Sequence, residues 1–137
     1  MTSQTKQQRL EAVNELIKVI ASSGRCFFSE NADKSNKVEN PFISTMEIDE
    51  RGKIWYIDHY TRKRIYTHND HDWNYFTHGG TLKRLVAFFR NHISKGAQIR
   101  ADYFDPNGSF WGEQHPWAYG DDILIVKEAA LRLGIAK

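Results

Sequence analysis

Residues 67–84 concentrate side chains that could carry chemistry. They read THNDHDWNYFTHGGTLKR and contain three histidines and two aspartates: His68, Asp70, His71, Asp72 and His78. Imidazole and carboxylate groups are ligands that zinc or manganese accepts, and His68-x-x-His71 is a short ligand spacing. One interpretation is therefore a metal-dependent hydrolase that uses the cluster from His68 to His78. The Asn, Asp, Gly and Thr composition is more typical of turns that carry surface histidines.

The second chemical feature is a glycine pair at the predicted start of a helix. The segment HGGTLKR at 78–84 places a flexible backbone before the helix, so amides, a hydroxyl and two cations could converge on one anion. Walker and Gly-x-Gly-x-x-Gly spacings are both missing. The alternative is a tight turn at Gly79 and Gly80, with Thr81 as an ordinary N-cap.

The third feature is an interleaved set of aromatic and basic residues before this loop. It comprises Trp55, Tyr56, Tyr60, Arg62, Lys63, Arg64 and Tyr66. Such a surface can stack bases and neutralise phosphates. Aromatic residues are also preferred in strands, and those beneath a helix would belong to the core. Strand alternation separates Trp55, Ile57 and His59 from the set Ile54, Tyr56, Asp58 and Tyr60, and leaves open which set is covered.

The charge distribution also singles out the middle of the chain. Residues 50–100 carry ten Lys/Arg against four Asp/Glu, whereas 1–49 carry six against seven and 101–137 carry three against six. A basic segment between weakly acidic flanks suggests an anionic partner, nucleic acid being the commonest, although a scattered solvated face has the same composition.

The elements that must position these residues follow from periodicity and turn signals. Apolar spacing predicts a helix from Thr5 to Ser22, then strands at 42–48, 53–60 and 64–67. A second helix runs from Thr81 towards Gly96, an aromatic loop covers 101–120, and Asp121 or Asp122 caps a last helix that Gly134 ends. We expect one α+β domain over 1–137, a three-stranded antiparallel meander packed by an N-terminal helix and two C-terminal helices.

Composition excludes several classes of protein. A length of 137 residues suits one domain, and the single Cys26 excludes an internal disulfide framework or a multi-cysteine zinc module. The N-terminus is polar, and no apolar run has the length of a membrane span. We therefore expect a cytoplasmic protein without a membrane partner.

Two segments of the middle region carry a family resemblance. The run IDERGKIWYIDHYTRKRIYTHND at 48–70, followed by Trp73 and by FTHGGTLKRLVAFFRNHISKG at 76–96, resembles small proteins of proteobacterial phages and integrative elements. The resemblance covers roughly the middle third of the chain. That group has no established activity, so it assigns no site residue. It implies either a nucleic-acid-associated accessory factor or an inhibitor of a host system.

These observations lead to one prediction and two alternatives. We predict a non-enzymatic binding protein, without cofactor or metal, that contacts an anionic ligand, most often nucleic acid. The alternatives are a mobile-element inhibitor that binds a host defence protein and the metal-dependent hydrolase. The predicted nucleic-acid-binding residues are Arg62, Lys63, Arg64, Tyr66, His78, Gly79, Gly80, Thr81, Lys83 and Arg84.

Overall fold

The fold combines three α-helices with a three-stranded antiparallel sheet, which confirms the predicted α+β class. The computed structural model describes residues 5–22, 28, 43–58, 64–67, 79–104 and 122–137, with side chains in the helix at 79–95 described from residue 83. The elements are α1 (Lys6–Ser22), β1 (Thr45–Ile48), β2 (Ile54–Ile57), β3 (Arg64–Tyr66), α2 (Gly79–Lys95), the 3-10 helix Ala101–Phe104 and α3 (Ile123–Arg132).

Helix α1 begins with a reciprocal cap. The Gln8 amide N–H donates to Thr5 Oγ1 at 3.1 Å, and the Thr5 amide N–H donates to Gln8 Oε1 at 2.8 Å. This capping box satisfies two amides that the helix itself leaves unpaired. The helix then buries one stripe, formed by Leu10, Ala12, Val13, Leu16, Ile17, Ile20 and Ala21. The predicted amphipathic helix is thus confirmed, with its start one residue later than expected.

The sheet has the order β1-β2-β3, and its register decides which side chains face the core. Met46 pairs with Tyr56, and Tyr56 pairs with Ile65. All three side chains are buried, and their strand neighbours project to the other face. The covered set is therefore the one that contains Ile54 and Tyr56, and Trp55 and Ile57 belong to the outer face.

Helices α1 and α2 pack on the inner face of this sheet, and α3 packs on α1. Phe89 of α2 contacts Phe28 at a ring-centroid distance of 5.9 Å, and Phe28 contacts Tyr56 edge-on at 6.3 Å. Ile123 and Val126 of α3 belong to the same buried cluster as these aromatic residues. Burial of such large side chains supplies most of the driving force for this packing.

Helix α2 begins earlier than predicted, whereas α3 begins after Asp122, one of its two predicted caps. Helix α2 begins at Gly79, so Thr81 lies inside its first turn, and the prediction of Thr81 as N-cap was wrong. Glycine is unfavourable mainly in helix interiors because of its backbone entropy, and a glycine pair in the first turn is therefore tolerated. At α3, Asp122 occupies the N-cap position, but its backbone is helical and its side chain makes no capping hydrogen bond. Gly96 and Gly134 adopt positive φ after α2 and α3, as expected for helix stops.

The C-terminal residues are tied to the segment after α2. Ile99 forms a parallel bridge with Ala136, and the Ala101 amide N–H donates to the Lys137 carbonyl at 3.0 Å. Within 101–120, which the sequence predicted as a loop, residues 101–104 form the 3-10 helix. Over the described ranges, no helix has both the length and the apolar character that crossing a membrane requires.

Candidate functional site

Four side chains form a continuous row on the outer face of the sheet. We call this row the cation–aromatic ladder, and in spatial order it contains Lys53, Tyr66, Trp55 and Arg64. Lys53 Nζ lies 5.3 Å from the centroid of the Tyr66 ring. The Tyr66 and Trp55 ring centroids are 5.1 Å apart, and Arg64 Cζ lies 4.2 Å from the centroid of the Trp55 ring. An aromatic pair is thus flanked by a cation at each end.

Strand register brings the two rings together. Trp55 is the Cα partner of Tyr66, and the next pair in the register is Ile54 with Thr67. The Thr67 amide N–H donates to the Ile54 carbonyl at 3.2 Å, so that pair is hydrogen-bonded. Hydrogen-bonded and non-hydrogen-bonded pairs alternate along antiparallel strands, so Trp55 and Tyr66 form a non-hydrogen-bonded pair. The side chains of such a pair approach most closely.

Asp49 fixes the orientation of the Trp55 indole. Trp55 Nε1–H donates to Asp49 Oδ2 at 2.9 Å, and Asp49 Oδ1 accepts the amide N–H groups of Arg51 and Lys53, each at 2.9 Å. The Trp55 hydrogen bond and these two amides lower the pKa of Asp49 below its ordinary value, against a smaller opposing effect of desolvation, and Arg64 lowers it further. The carboxylate therefore couples the β1–β2 turn to the ladder.

The two cations of the ladder are available to an anion. Lys53 and Arg64 are both exposed. Their described contacts are those with the Tyr66 and Trp55 rings, and a guanidinium above a ring keeps its N–H donors for other acceptors. The exposed Glu47 is the register partner of Trp55 on β1 and carries the opposite charge. An anionic ligand is therefore favoured towards the β3 side of this face.

The predicted site residues divide between two sides of the sheet. Arg64 and Tyr66 lie on the ladder. Gly79, Gly80 and Thr81 form the first turn of α2, and Lys83 and Arg84 follow in the same helix. Helix α2 packs on the inner face, so the structure does not place Lys83 and Arg84 on the ladder surface. Arg62, Lys63 and His78 lie outside the described residues.

The predicted metal cluster cannot be placed. His68, Asp70, His71, Asp72 and His78 all lie outside the described residues. Within the ranges that are described, no group of three His, Cys, Asp or Glu side chains has a metal-binding arrangement. The hydrolase alternative therefore stays a prediction from sequence.

Three members of the site, Trp55, Lys53 and Asp49, were not among the predicted binding residues. Trp55 belonged to the interleaved aromatic and basic set, Lys53 fell in a predicted strand, and Asp49 fell between two predicted strands. The period of two along β2 places Lys53 on the same face as Trp55, which sequence could have indicated. The contact between Asp49 and Trp55 depends on the shape of the turn, for which sequence holds no comparable signal.

Comparison with known proteins gives one family. The family model described as YoqU matches residues 3–134. The SPbeta prophage-derived uncharacterized protein YoqU of Bacillus subtilis (strain 168) is 30% identical over 140 residues, which cover 98% of this chain and 87% of that protein. No solved structure matches the chain. The expected resemblance to phage proteins is confirmed, because this relative is derived from a prophage.

Proposed function

This chain belongs to the YoqU family, and we propose that it binds nucleic acid through the outer face of its sheet. The observation that carries the proposal is the cation–aromatic ladder, in which Lys53 and Arg64 flank the Trp55–Tyr66 pair. Nucleic acid offers phosphates for the cations and π-faces for the rings.

Charge on the ladder supports a phosphate ligand. Arg64 lies over the Trp55 ring, and its side chain is exposed. The nearby Asp49 carboxylate interacts with it electrostatically but accepts its hydrogen bonds from Trp55, Arg51 and Lys53. An exposed, pre-positioned guanidinium suits bidentate contact with phosphate oxygens.

Removal of both ladder cations tests the proposal. Labelled DNA and RNA oligonucleotides are titrated with the wild type and with Lys53→Ala/Arg64→Ala, and fluorescence anisotropy is recorded at about 50 and 200 mM salt. We expect the double variant to bind roughly 10-fold more weakly or worse, because a hydrogen bond to a charged group contributes about 1.5–3 kcal/mol. Each lost phosphate contact should also reduce the salt slope by about 0.7–0.9.

Lys18→Ala/Arg132→Ala is the matched control. It removes the same charge from exposed positions of α1 and α3, helices that pack behind the sheet. Equal loss of affinity in the two double variants would assign binding to net charge rather than to the ladder. Absence of binding by the wild type at low salt would refute the proposal.

A second candidate function, binding of a host protein, is favoured by one surface of α3. Leu124, Ile125 and Leu131 are 48%, 59% and 43% exposed, although α3 buries its other face. Leu124 and Leu131 are seven residues apart and therefore lie on one side of the helix. Ile125 lies about 100° around the helix from Leu124, so the exposed apolar surface spans two sides of α3, and such surfaces are often covered by protein partners.

Ile125→Lys tests this candidate. Tagged wild type and variant are incubated with nuclease-treated host lysate, and captured proteins are compared. A host protein retained by the wild type and lost with Ile125→Lys would support an inhibitor role. Because Trp, Tyr and Arg are also common at protein interfaces, Lys53→Ala/Arg64→Ala is included to show whether the ladder contributes to this binding. A capture pattern unchanged by Ile125→Lys would count against the α3 patch.

Two finer predictions remain proposals. The relative comes from Bacillus subtilis, and we propose that proteobacterial phages and integrative elements also carry the family. Cytoplasmic location is proposed from the single cysteine, which suits a reducing compartment.

A further inference from the structure

We infer that the ladder takes single-stranded rather than double-stranded nucleic acid, with a base stacked on the ring faces that Arg64 and Lys53 now cover, while these two cations move to the phosphates that flank the base. This inference rests on the proposed function and names its substrate class.

The first argument concerns access to the bases. Trp55 and Tyr66 are half-buried in the sheet, and their rings lie at 39° to each other on its outer face. In a duplex the base faces are stacked on one another, and the surface offers grooves and backbone. A ring can stack on a base when the strand is single and the base is unstacked. The aromatic pair would be largely unused against a duplex.

The second argument concerns the number of cations. The ladder supplies Lys53 and Arg64, while Glu47 on β1 opposes phosphate on the same face. Duplex binding that relies on backbone contacts commonly uses about 6–10 phosphates. Among the described residues, the two ladder cations alone fall short of that number, and stacking compensates for few phosphate contacts on a single strand.

The third argument concerns the order of the groups. Along the ladder, a cation, two rings and a second cation follow one another in steps of 5.3, 5.1 and 4.2 Å. In a single strand each base lies between two backbone phosphates, so a cation on either side of the ring pair is placed to meet the phosphates that flank a bound base. Asp49 holds the Trp55 indole in place, so the stacking surface is ordered before the ligand arrives.

The test compares one oligonucleotide as a single strand and as a duplex. Labelled oligothymidine of about 16 nucleotides, the upper end of site sizes for small single-strand-binding domains, is used alone and annealed to oligoadenine. Proteins are the wild type, Trp55→Ala, Trp55→Phe and Lys18→Ala/Arg132→Ala, each checked for folding by circular dichroism. We expect the wild type to prefer the single strand by roughly 10-fold or more, and Trp55→Ala to lose roughly 5- to 150-fold in single-strand affinity.

Trp55→Phe keeps an aromatic ring and loses the hydrogen bond to Asp49. It should retain most of the single-strand affinity, which separates stacking from a general defect should Trp55→Ala fold poorly. Equal or tighter duplex binding, or unchanged single-strand affinity in a folded Trp55→Ala, would overturn the inference and leave nucleic-acid binding in place. No binding of either state would instead refute the proposed function.

Discussion

The side-chain amide of Asn14 on α1 pairs with the backbone of Met46 on β1. Asn14 Nδ2–H donates to the Met46 carbonyl at 3.0 Å, and the Met46 amide N–H donates to Asn14 Oδ1 at 2.8 Å. β1 is an edge strand, and the Met46–Tyr56 pair directs these backbone groups away from β2. Asn14 therefore occupies the position that a neighbouring strand would take, which protects this edge at Met46.

Replacement of Asn14 by Ala should destabilise the fold. The variant loses two hydrogen bonds and leaves the Met46 amide and carbonyl in a partly buried edge, so we expect the free energy of unfolding to fall by about 1–3 kcal/mol. Urea unfolding followed by circular dichroism measures this change. Glu15→Ala, at an exposed position of the same helix, is the control. Equal stability of the two variants would show that the Asn14–Met46 pair contributes nothing net.

The hydrogen bonds to Asp49 should make the free energy of unfolding depend on pH in the acidic range. Its folded pKa is lowered from the ordinary value of 3.8, chiefly by the Trp55 hydrogen bond. The stabilisation is therefore complete above that value and is lost as pH falls through the lower folded pKa. Asp49→Asn, which cannot accept from Trp55 through its amide nitrogen, should be less stable than the wild type at neutral pH. The difference in unfolding free energy between them should shrink below pH 3.8.

A difference that stays constant from neutral to acidic pH would contradict the assignment to the Asp49 carboxylate. Glu50→Gln, at an exposed position of the same turn, is the control and should not reproduce the effect. Comparison of each variant with the wild type is required because other carboxylates titrate in the same range.

The elements of the fold could be predicted because their periods are strong. The stripe that contains Leu16 and Ile17 has helical spacing, and the alternation around Tyr56 has strand spacing, so both elements follow from the pattern of burial. Gly52 also adopts a positive φ in the turn between β1 and β2, where glycine is a preferred residue. These features are local, and local sequence determines them.

Only part of the site could be predicted from the sequence, because its residues are brought together from different segments of the chain. Arg64 and Tyr66 were identified from composition, but their association with Trp55 depends on the β2–β3 register. The side of the sheet that α2 covers is decided by tertiary packing of residues such as Phe89, so the separation of Lys83 and Arg84 from the ladder had no sequence signal. Pairing and packing between distant segments decide such questions.

Replacement of Gly52 by Ala should strain the turn that carries Asp49 and Lys53. Gly52 has φ of 81°, a conformation that costs other L-residues roughly 1–2 kcal/mol. A Cβ there would lie 3.5 Å from Lys6 Nζ, an ordinary contact, so the backbone conformation and not a clash supplies the cost. Reduced freedom of the unfolded chain offsets about 0.4–1 kcal/mol of it.

We therefore expect a net loss of about 0.5–1 kcal/mol in unfolding free energy for Gly52→Ala. Gly52→Asn should lose less, because asparagine tolerates positive φ. Urea unfolding of the two variants gives the comparison. Equal losses for Ala and Asn would argue that the Lys6–Gly52 hydrogen bond, at 2.6 Å, is disturbed instead.

The buried His92 should make the fold less stable in weakly acidic solution. It lies in the last turn of α2 and is 2% exposed, and its Nδ1 lies 3.0 Å from the Ala97 carbonyl, to which it must donate. Within the described part of the chain, Nε2 has no hydrogen-bond partner. Burial lowers the pKa of His92 from 6.5, the Ala97 hydrogen bond opposes this, and Arg9 lowers it further.

Between that lowered pKa and 6.5, the unfolded chain binds a proton that folded His92 does not. Stability should therefore fall as pH decreases through this window, by up to about 1.4 kcal/mol per pH unit. His92→Asn keeps a donor near the position of the His92 Nδ1 atom and does not titrate. The decrease in unfolding free energy that His92 causes should therefore be missing from this variant between about pH 7.5 and 5.5. The other histidines contribute to both proteins, so parallel pH curves for the wild type and His92→Asn would show that His92 is not the titrating group.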